Sequence, residues 1–363
     1  MAQTLTSALP DIHKIAFLRP NALGDFIFAL PALRALRETY PQAEIVYLGK
    51  QWHAQFIPGH VPTVDRVVVV PPYSGVGEPE GAAVDQTQID TFFEQMRAEH
   101  FDLAVQAYGG GGHSNPFLLH LGAKHTVGTR TPESVPLGAA VPYQLFHNEI
   151  LRWLEVVSYA GAQTKHIVPE LTVLDADRKE AHHQLFEHDI EAPYVVIHPG
   201  ATDKRRHWPS EYFGQVANHL IKTGYRVIVT GVSSEKDIVD AVVAATHDKA
   251  VPFCGNLTIG GMTGLLAEAA LVLSNDTGPL HVAGAVGAKT VGIYWVGNLI
   301  TAGHMTRMYD RPHISWTVNC PVCGTSCVTD PHHPWQGGCA HQESFVADVQ
   351  PEDVLASCLS LLK

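Results

Sequence analysis

Short apolar runs recur along the chain and alternate with longer stretches of helical periodicity. Residues 14–18 (Lys-Ile-Ala-Phe-Leu) have the length of a buried strand, and residues 44–48, 66–71 and 103–107 repeat the pattern. A turn, Arg19-Pro20-Asn21-Ala22-Leu23-Gly24, follows the first run and leads into a predicted helix over residues 25–39. The second half uses the same grammar, with strands predicted at 194–198, 226–230, 251–254, 271–275 and 290–294. The helix after Ser210 carries Phe213, Val216, Ala217, Leu220 and Ile221 at i, i+3, i+4, i+7 and i+8, behind a serine placed to cap it. Strands alternating with helices predict parallel pairing and a doubly wound α/β sheet in each half. We therefore expect a Rossmann-like domain over residues 1–175, a second over 176–345, and a linker near residues 169–177. A last helix, residues 352–362, shows Val354, Leu355, Leu359 and Leu362 as its apolar stripe. Residues 346–363 are expected to pack back on the N-terminal domain.

Composition narrows the function. A chain of 363 residues with only 17% charged positions has the length and the apolar content for two cores. Its formal net charge of -12 argues against nucleic acid as a partner, because phosphate binding needs a surplus of Lys and Arg. Residues 1–11 show neither a basic nor an apolar signal segment, so the cytoplasm, with reduced thiols, is the expected compartment. Cys254 and Cys358 stand alone among apolar residues and are expected to be buried. Cys320, Cys323, Cys327 and Cys339 crowd together with spacings compatible with one structural zinc, for which His332, His333 or His341 could substitute. The cluster lacks a repeated C-x-x-C pair, so reduced thiols or a disulfide-prone loop remain alternatives.

The candidate chemistry sits where predicted strands end. Asn275-Asp276-Thr277-Gly278-Pro279-Leu280-His281 joins a strand to a helix, where Asp276 or Thr277 can cap and Gly278 admits a ligand. A helix N-terminus of this kind suits a pyrophosphate, and His281 lies about one turn further on. An ordinary cap without a ligand explains the same residues. The loop His198-Pro199-Gly200-Ala201-Thr202-Asp203-Lys204-Arg205-Arg206-His207-Trp208-Pro209 adds three successive cations, which could neutralise a departing diphosphate or form a solvated face. Glu235 could bond a ribose, or serve only as a first-turn glutamate.

Taken together, Asn21-Ala22-Leu23-Gly24-Asp25 with Pro31, the His-Pro-Gly-Ala loop ending Arg206-His207-Trp208-Pro209, and Asp276-Thr277-Gly278-Pro279-Leu280-His281 resemble glycosyltransferase family 9. Its best-known members are ADP-heptose:lipopolysaccharide heptosyltransferases. The resemblance implies a GT-B fold, two Rossmann-like domains facing across a cleft, and an inverting transfer that uses no metal or other catalytic cofactor. It implies that Asp25 is the catalytic base, with Asn21 and Gly24 on the acceptor side. Lys204, Arg205, Arg206, Glu235, Asp276, Thr277, Gly278 and His281 would bind the donor, with Arg206 where the family has a phosphate-contacting lysine. The partners implied are an ADP-heptose-like nucleotide-diphosphate sugar and a lipid-linked or glycan acceptor. They place the protein in the cytoplasm with peripheral contact at the inner face of a membrane. A nucleotide-sugar epimerase and a non-catalytic nucleotide-sugar-binding protein are the alternatives on this architecture. One departure stands out: Tyr294-Trp295-Val296-Gly297-Asn298 replaces the Gly-Pro-Thr-like turn usual after the last strand.

Overall fold

The computed structural model describes residues 7–191, 193–306, 308–326 and 340–363. The chain divides into two compact units, Met1–Thr172 and Val173–Lys363, with the break inside residues 169–177.

The N-terminal unit runs β1 (Lys14–Leu18), α1 (Leu23–Thr39), β2 (Glu44–Gly49), α2 (Gln51–His60), β3 (Arg66–Val69), a two-residue pair β4 (Tyr73–Ser74) and β5 (Gly77–Glu78), α3 (Gln86–Ala98), β6 (Leu103–Gln106), α4 (Ser114–Leu119), β7 (His125–Arg130), β8 (Ala139–Pro142) and α5 (Glu149–Ser158). Its main sheet is parallel, in the order β3-β2-β1-β6-β7-β8. Ile15 pairs with Ile45 on one side and Leu103 on the other, in the middle of the sheet. Helices cover both faces, which is why β1 is apolar at successive positions rather than at alternate ones. Ala16, Leu18, Val46 and Leu48 pack on one face with Phe92, Phe93 and Phe117 of α3 and α4.

The C-terminal unit repeats the design with α6 (Asp175–Glu187), β9 (Tyr194–His198), α7 (Ser210–Lys222), β10 (Arg226–Gly231), α8 (Lys236–Ala245), β11 (Val251–Cys254), α9 (Ile259–Glu268), β12 (Leu271–Asn275), α10 (Gly278–Ala285), β13 (Thr290–Trp295), α11 (Val296–Ala302), β14 (Asp310–Ser315) and α12 (Pro351–Leu362). The strand order is β11-β10-β9-β12-β13-β14, again all parallel. In each unit the connection changes direction beside the first strand. The loops after β1 and β6, and after β9 and β12, diverge there and leave a crevice at the strand ends. Every catalytic and donor residue expected from the sequence lies on one of these loops, on the first turns of the helix that follows it, or on the turn after β10. Among the described residues, no helix is long and apolar enough to cross a membrane.

Three local expectations are corrected. Helix α12 packs on the C-terminal unit, where Val354, Cys358 and Leu361 join the core formed with α7. An amphipathic stripe shows that a face is buried but does not name the surface that buries it. The buried stripe also differs: Cys358 and Leu361 face inward, while Leu355, Leu359 and Leu362 lie at its margin. Ser210 is the first helical residue rather than the cap, a place taken by Pro209 without a side-chain bond. Strands β7 and β14 have too few apolar residues to be visible as runs, and β8 and α11 are short. Cys358 is buried, and burial pushes its thiol up to about 12. Cys254 is only half-buried.

Buried imidazoles predict how the fold responds to acid. His53 is fully buried, stacked 3.6 Å from Trp52, and its Nδ1 accepts the Lys50 N–H at 2.9 Å. Burial, reinforced by the charges of Arg19 and Lys50, lowers its pKa to about 3. An unfolded histidine titrates near ~6.5, so the unfolded chain binds the proton first. Stability from this group is complete above that pH and declines as pH falls toward 3. Melting temperature should therefore drop between pH 7 and pH 5, and His53→Asn should flatten the decline. An unchanged slope in the variant would show that His53 takes no part in it.

Candidate active site

In the N-terminal unit the strand-end site is organised by a buried cation. Arg19 follows β1 directly, and its side chain is 1% exposed. Its Nη1 donates to the Ala107 carbonyl and its Nε to the Asp25 carbonyl, each at 2.5 Å. Its Nη2 lies 3.2 Å from Glu149 Oε2 and 3.5 Å from Asp25 Oδ1, and the guanidinium stacks 4.5 Å above Trp153. Helix α1 starts after Ala22, which supplies no side-chain cap, and Asp25 occupies its first turn. The Asp25 side chain faces Arg19 and remains 38% exposed, and Ala22 rather than Asp25 holds the N-cap position. Gly24 shares that first turn, and the Oδ1 of Asn21 beside it is buried without a hydrogen-bond partner.

The C-terminal site is organised by a buried anion. Asp276 leaves the end of β12 and is 2% exposed. Asn298 Nδ2 donates to its Oδ2 at 2.5 Å, and His281 Nε2 donates to its Oδ1 at 3.0 Å. Arg206 Nη1 donates to its carbonyl at 3.0 Å and lies 3.4 Å from Oδ2. Burial alone would raise the Asp276 carboxyl, but His281, Arg206 and Asn298 outweigh it and hold the pKa below its ordinary value. Burial pushes the His281 imidazole down, against the pull of Asp276, so this pair is a carboxylate beside a neutral ring. Thr277 stands at the N-cap of α10 without a side-chain bond, and Pro279 occupies the first turn. With Asp276 turned inward, neither expected side-chain cap is made.

The neighbouring Asn275 ties both ends of the loop after β9 to the end of β12. Its Oδ1 accepts the Trp208 N–H at 3.1 Å, and its Nδ2 donates to the Pro199 carbonyl at 2.7 Å. Trp208 is fully buried, with its indole N–H on the Val349 carbonyl at 2.9 Å. The cation run is thus pinned beside β12 by one amide.

A family model described as glycosyltransferase family 9 (heptosyltransferase) matches residues 89–308, more than half of the chain. The chain belongs to glycosyltransferase family 9. Lipopolysaccharide heptosyltransferase 2 of Escherichia coli K12 is 23% identical over 294 residues, 77% of this chain and 82% of that protein. The crystal structure of a family 9 glycosyltransferase from Veillonella parvula superposes with a TM-score of 0.78 at 17% identity, covering 98% of this chain and 99% of that one. A third likeness is the iron-containing dodecameric glycosyltransferase TibC of enterotoxigenic E. coli, with TM-score 0.55 and 14% identity over 98% of this chain and 77% of that one. TibC has also been solved in complex with ADP-D-β-D-heptose. The structural likenesses give the chain the GT-B fold class, and the family match makes it a glycosyltransferase.

Within this family 9 enzyme the expected donor residues are not equivalent. Arg205 is turned away to Asp203, with Nη2 2.6 Å from its carboxylate and the guanidinium against Phe345, so the run does not present three parallel cations. Lys204 is exposed and Arg206 is docked on Asp276. Glu235 folds over Gly200, where an added Cβ would lie 2.1 Å from its carboxylate. Its Oε2 accepts the Val232 N–H at 2.9 Å and lies 3.9 Å from His198 Nε2. Arg19, Glu149, Asn275 and Asn298 were not foreseen as site residues. Asn298 stood in the motif that departs from the family, which was its only signal. A cavity of about 530 Å³ in the N-terminal unit, lined by Tyr73, Asp90, Phe93, His113 and His120 among others, includes none of the expected residues.

Cysteine ligands converge in part. Cys320, Cys323 and His341 bring one ligand atom each within 4.8 Å of one another, with Cys320 Sγ 3.7 Å from His341 Nδ1. His341, a substitute in the expectation from spacing, stands with the first two cysteines of that set. Cys327, Cys339, His332 and His333 lie outside the described residues.

Asn275→Ala should unfold at lower denaturant, by about 1–3 kcal/mol, because the buried Trp208 N–H and Pro199 carbonyl both lose their partner. Chemical denaturation with tryptophan fluorescence reads it. A loss under about 0.5 kcal/mol, ordinary for a surface change, would mean that the amide does not hold this loop.

Proposed function

We propose that this glycosyltransferase moves a heptose-like sugar from an ADP-like nucleotide diphosphate to a lipopolysaccharide or related glycan acceptor, with inversion and without a catalytic metal. The observation that carries the reading is the Asp25 carboxylate. It is 38% exposed at the start of α1, although the cation beside it is buried. Asn21 and Gly24, beside it, flank the acceptor side. Asp25 takes the proton from the acceptor hydroxyl as its oxygen bonds to the anomeric carbon. The bond from that carbon to the diphosphate breaks, and its electron pair leaves on the phosphate oxygen. Arg206, Lys204 and the N-terminus of α10 meet the growing charge, with Thr277, Gly278 and His281 around the phosphates and Glu235 near the ribose. The relatives support the substrates: one is a lipopolysaccharide heptosyltransferase, and another has been solved with ADP-D-β-D-heptose. A lipid-linked acceptor would bring the chain to the inner face of a membrane.

Asp25→Asn tests this directly. Carboxylate and amide share a shape, so fold and donor affinity should survive while kcat falls by about 10²–10⁴-fold or more. Near-normal turnover would require another base, and lost donor binding would require another arrangement of the site.

Cys320, Cys323 and His341 are proposed to hold one structural metal ion, zinc or the iron named for TibC, completed from the cysteines that follow. Protein purified without added metal should carry close to one equivalent by elemental analysis. Brief EDTA treatment should leave transfer intact. Metal-free protein with full thermal stability refutes the structural site, and activity that EDTA abolishes and magnesium restores refutes the metal-independent transfer.

A further inference from the structure

Arg19 poses a problem for a base. A guanidinium out of water acts through a low dielectric, and with Asp25 as its sole counter-charge it would hold that carboxylate as a poor proton acceptor. The structure gives Arg19 a second carboxylate. Glu149 Oε2, at 3.2 Å, is nearer to Nη2 than Asp25 Oδ1 at 3.5 Å. Glu149 in turn forms an ion pair through Oε1 with Arg152 Nε at 3.0 Å, and Arg152 is itself buried. The result is a chain of alternating charges, Asp25, Arg19, Glu149 and Arg152, that sums to zero. Arg19 cannot swing toward Asp25, because Nε and Nη1 are held by the carbonyls of Asp25 and Ala107.

We infer that Glu149 is a positioning residue that sets the basicity of Asp25 by sharing Arg19. This rests on the reading of Asp25 as the base. Other titratable groups facing the chain come from several elements. Tyr47 of β2 donates its hydroxyl to the Arg19 carbonyl at 2.7 Å. Tyr143, after β8, lies beneath the Arg152 guanidinium at 4.2 Å, and His53 of α2 stacks toward Tyr47. Burial raises both phenols and lowers His53, so all three stay neutral in the working range. The four charged residues are left to balance one another.

The test is the pH profile of kcat in three full-length proteins: wild type, Glu149→Gln and Glu149→Asp. Glutamine keeps the shape but removes the competing charge, so Arg19 acts on Asp25 alone. The acidic limb should then move down by about one pH unit, with a lower plateau because a weaker base remains. Donor KM should be unchanged. Glu149→Asp keeps the charge at a shorter reach and should displace the limb in the same direction by less. If Glu149→Gln does not fold, the aspartate variant decides alone. An acidic limb that stays in place or moves up in the folded variant overturns the inference, whatever happens to stability. Failure of the underlying reading looks different: Asp25→Asn would then remain active. An inactive Asp25→Asn together with an unmoved limb rejects the role of Glu149 only.

Discussion

An ionised carboxylate taken out of water has to recover its hydrogen bonds from the protein, and Asp276 recovers them from three directions. Asn298 comes from α11, His281 from α10 and Arg206 from the loop after β9. Burying such a charge costs several kcal/mol before pairing, and removing a single partner from a buried pair typically costs about 3–5 kcal/mol. The three loops that surround the end of β12 are therefore coupled through one side chain. The orientation of Arg206, on which phosphate recognition is proposed to depend, follows from that demand. So does the absence of a side-chain cap at α10, because the carboxylate that could have capped it is used inside.

The N-terminal unit solves the reciprocal problem around Arg19. Here the buried charge is positive, and the partners are two backbone carbonyls, two carboxylates and an aromatic face. Each unit places its buried charge at the carboxyl end of its sheet, after the first strand β1 in the N-terminal unit and after β12, the neighbour of the first strand β9, in the C-terminal unit. Parallel strands end there with their loops diverging, so polar groups can gather without disturbing the ladder of hydrogen bonds behind them. One topology used twice yields a strand-end site with an exposed acid in one unit and one with a buried acid in the other.

Much of this was legible in the chain itself. Strands buried on both faces read as unbroken apolar runs, so β1, β2, β6, β9, β10 and β12 stand out, and their alternation with helices implies parallel sheets. The strand-end motifs were also visible, because turn glycines, cations and an acid beside them are local patterns. Asp25, Arg206, Asp276 and His281 all come from such segments. Elements with little apolar content, such as β7 and β14, gave no comparable signal, and the destination of α12 had none at all.

What the tertiary structure alone decided is which charges meet. Glu149 follows Arg19 by 130 positions and Asn298 follows Asp276 by 22, and no periodicity connects either pair. The same holds for the cation run, where the sequence determines three adjacent positive residues but not that Arg205 turns to Asp203 while Arg206 reaches Asp276. Local patterns follow from the dihedral and burial preferences of neighbouring residues, which the sequence carries directly. Pairing of buried charges depends on which loops the strand order brings together, and that is settled only when the sheet has formed.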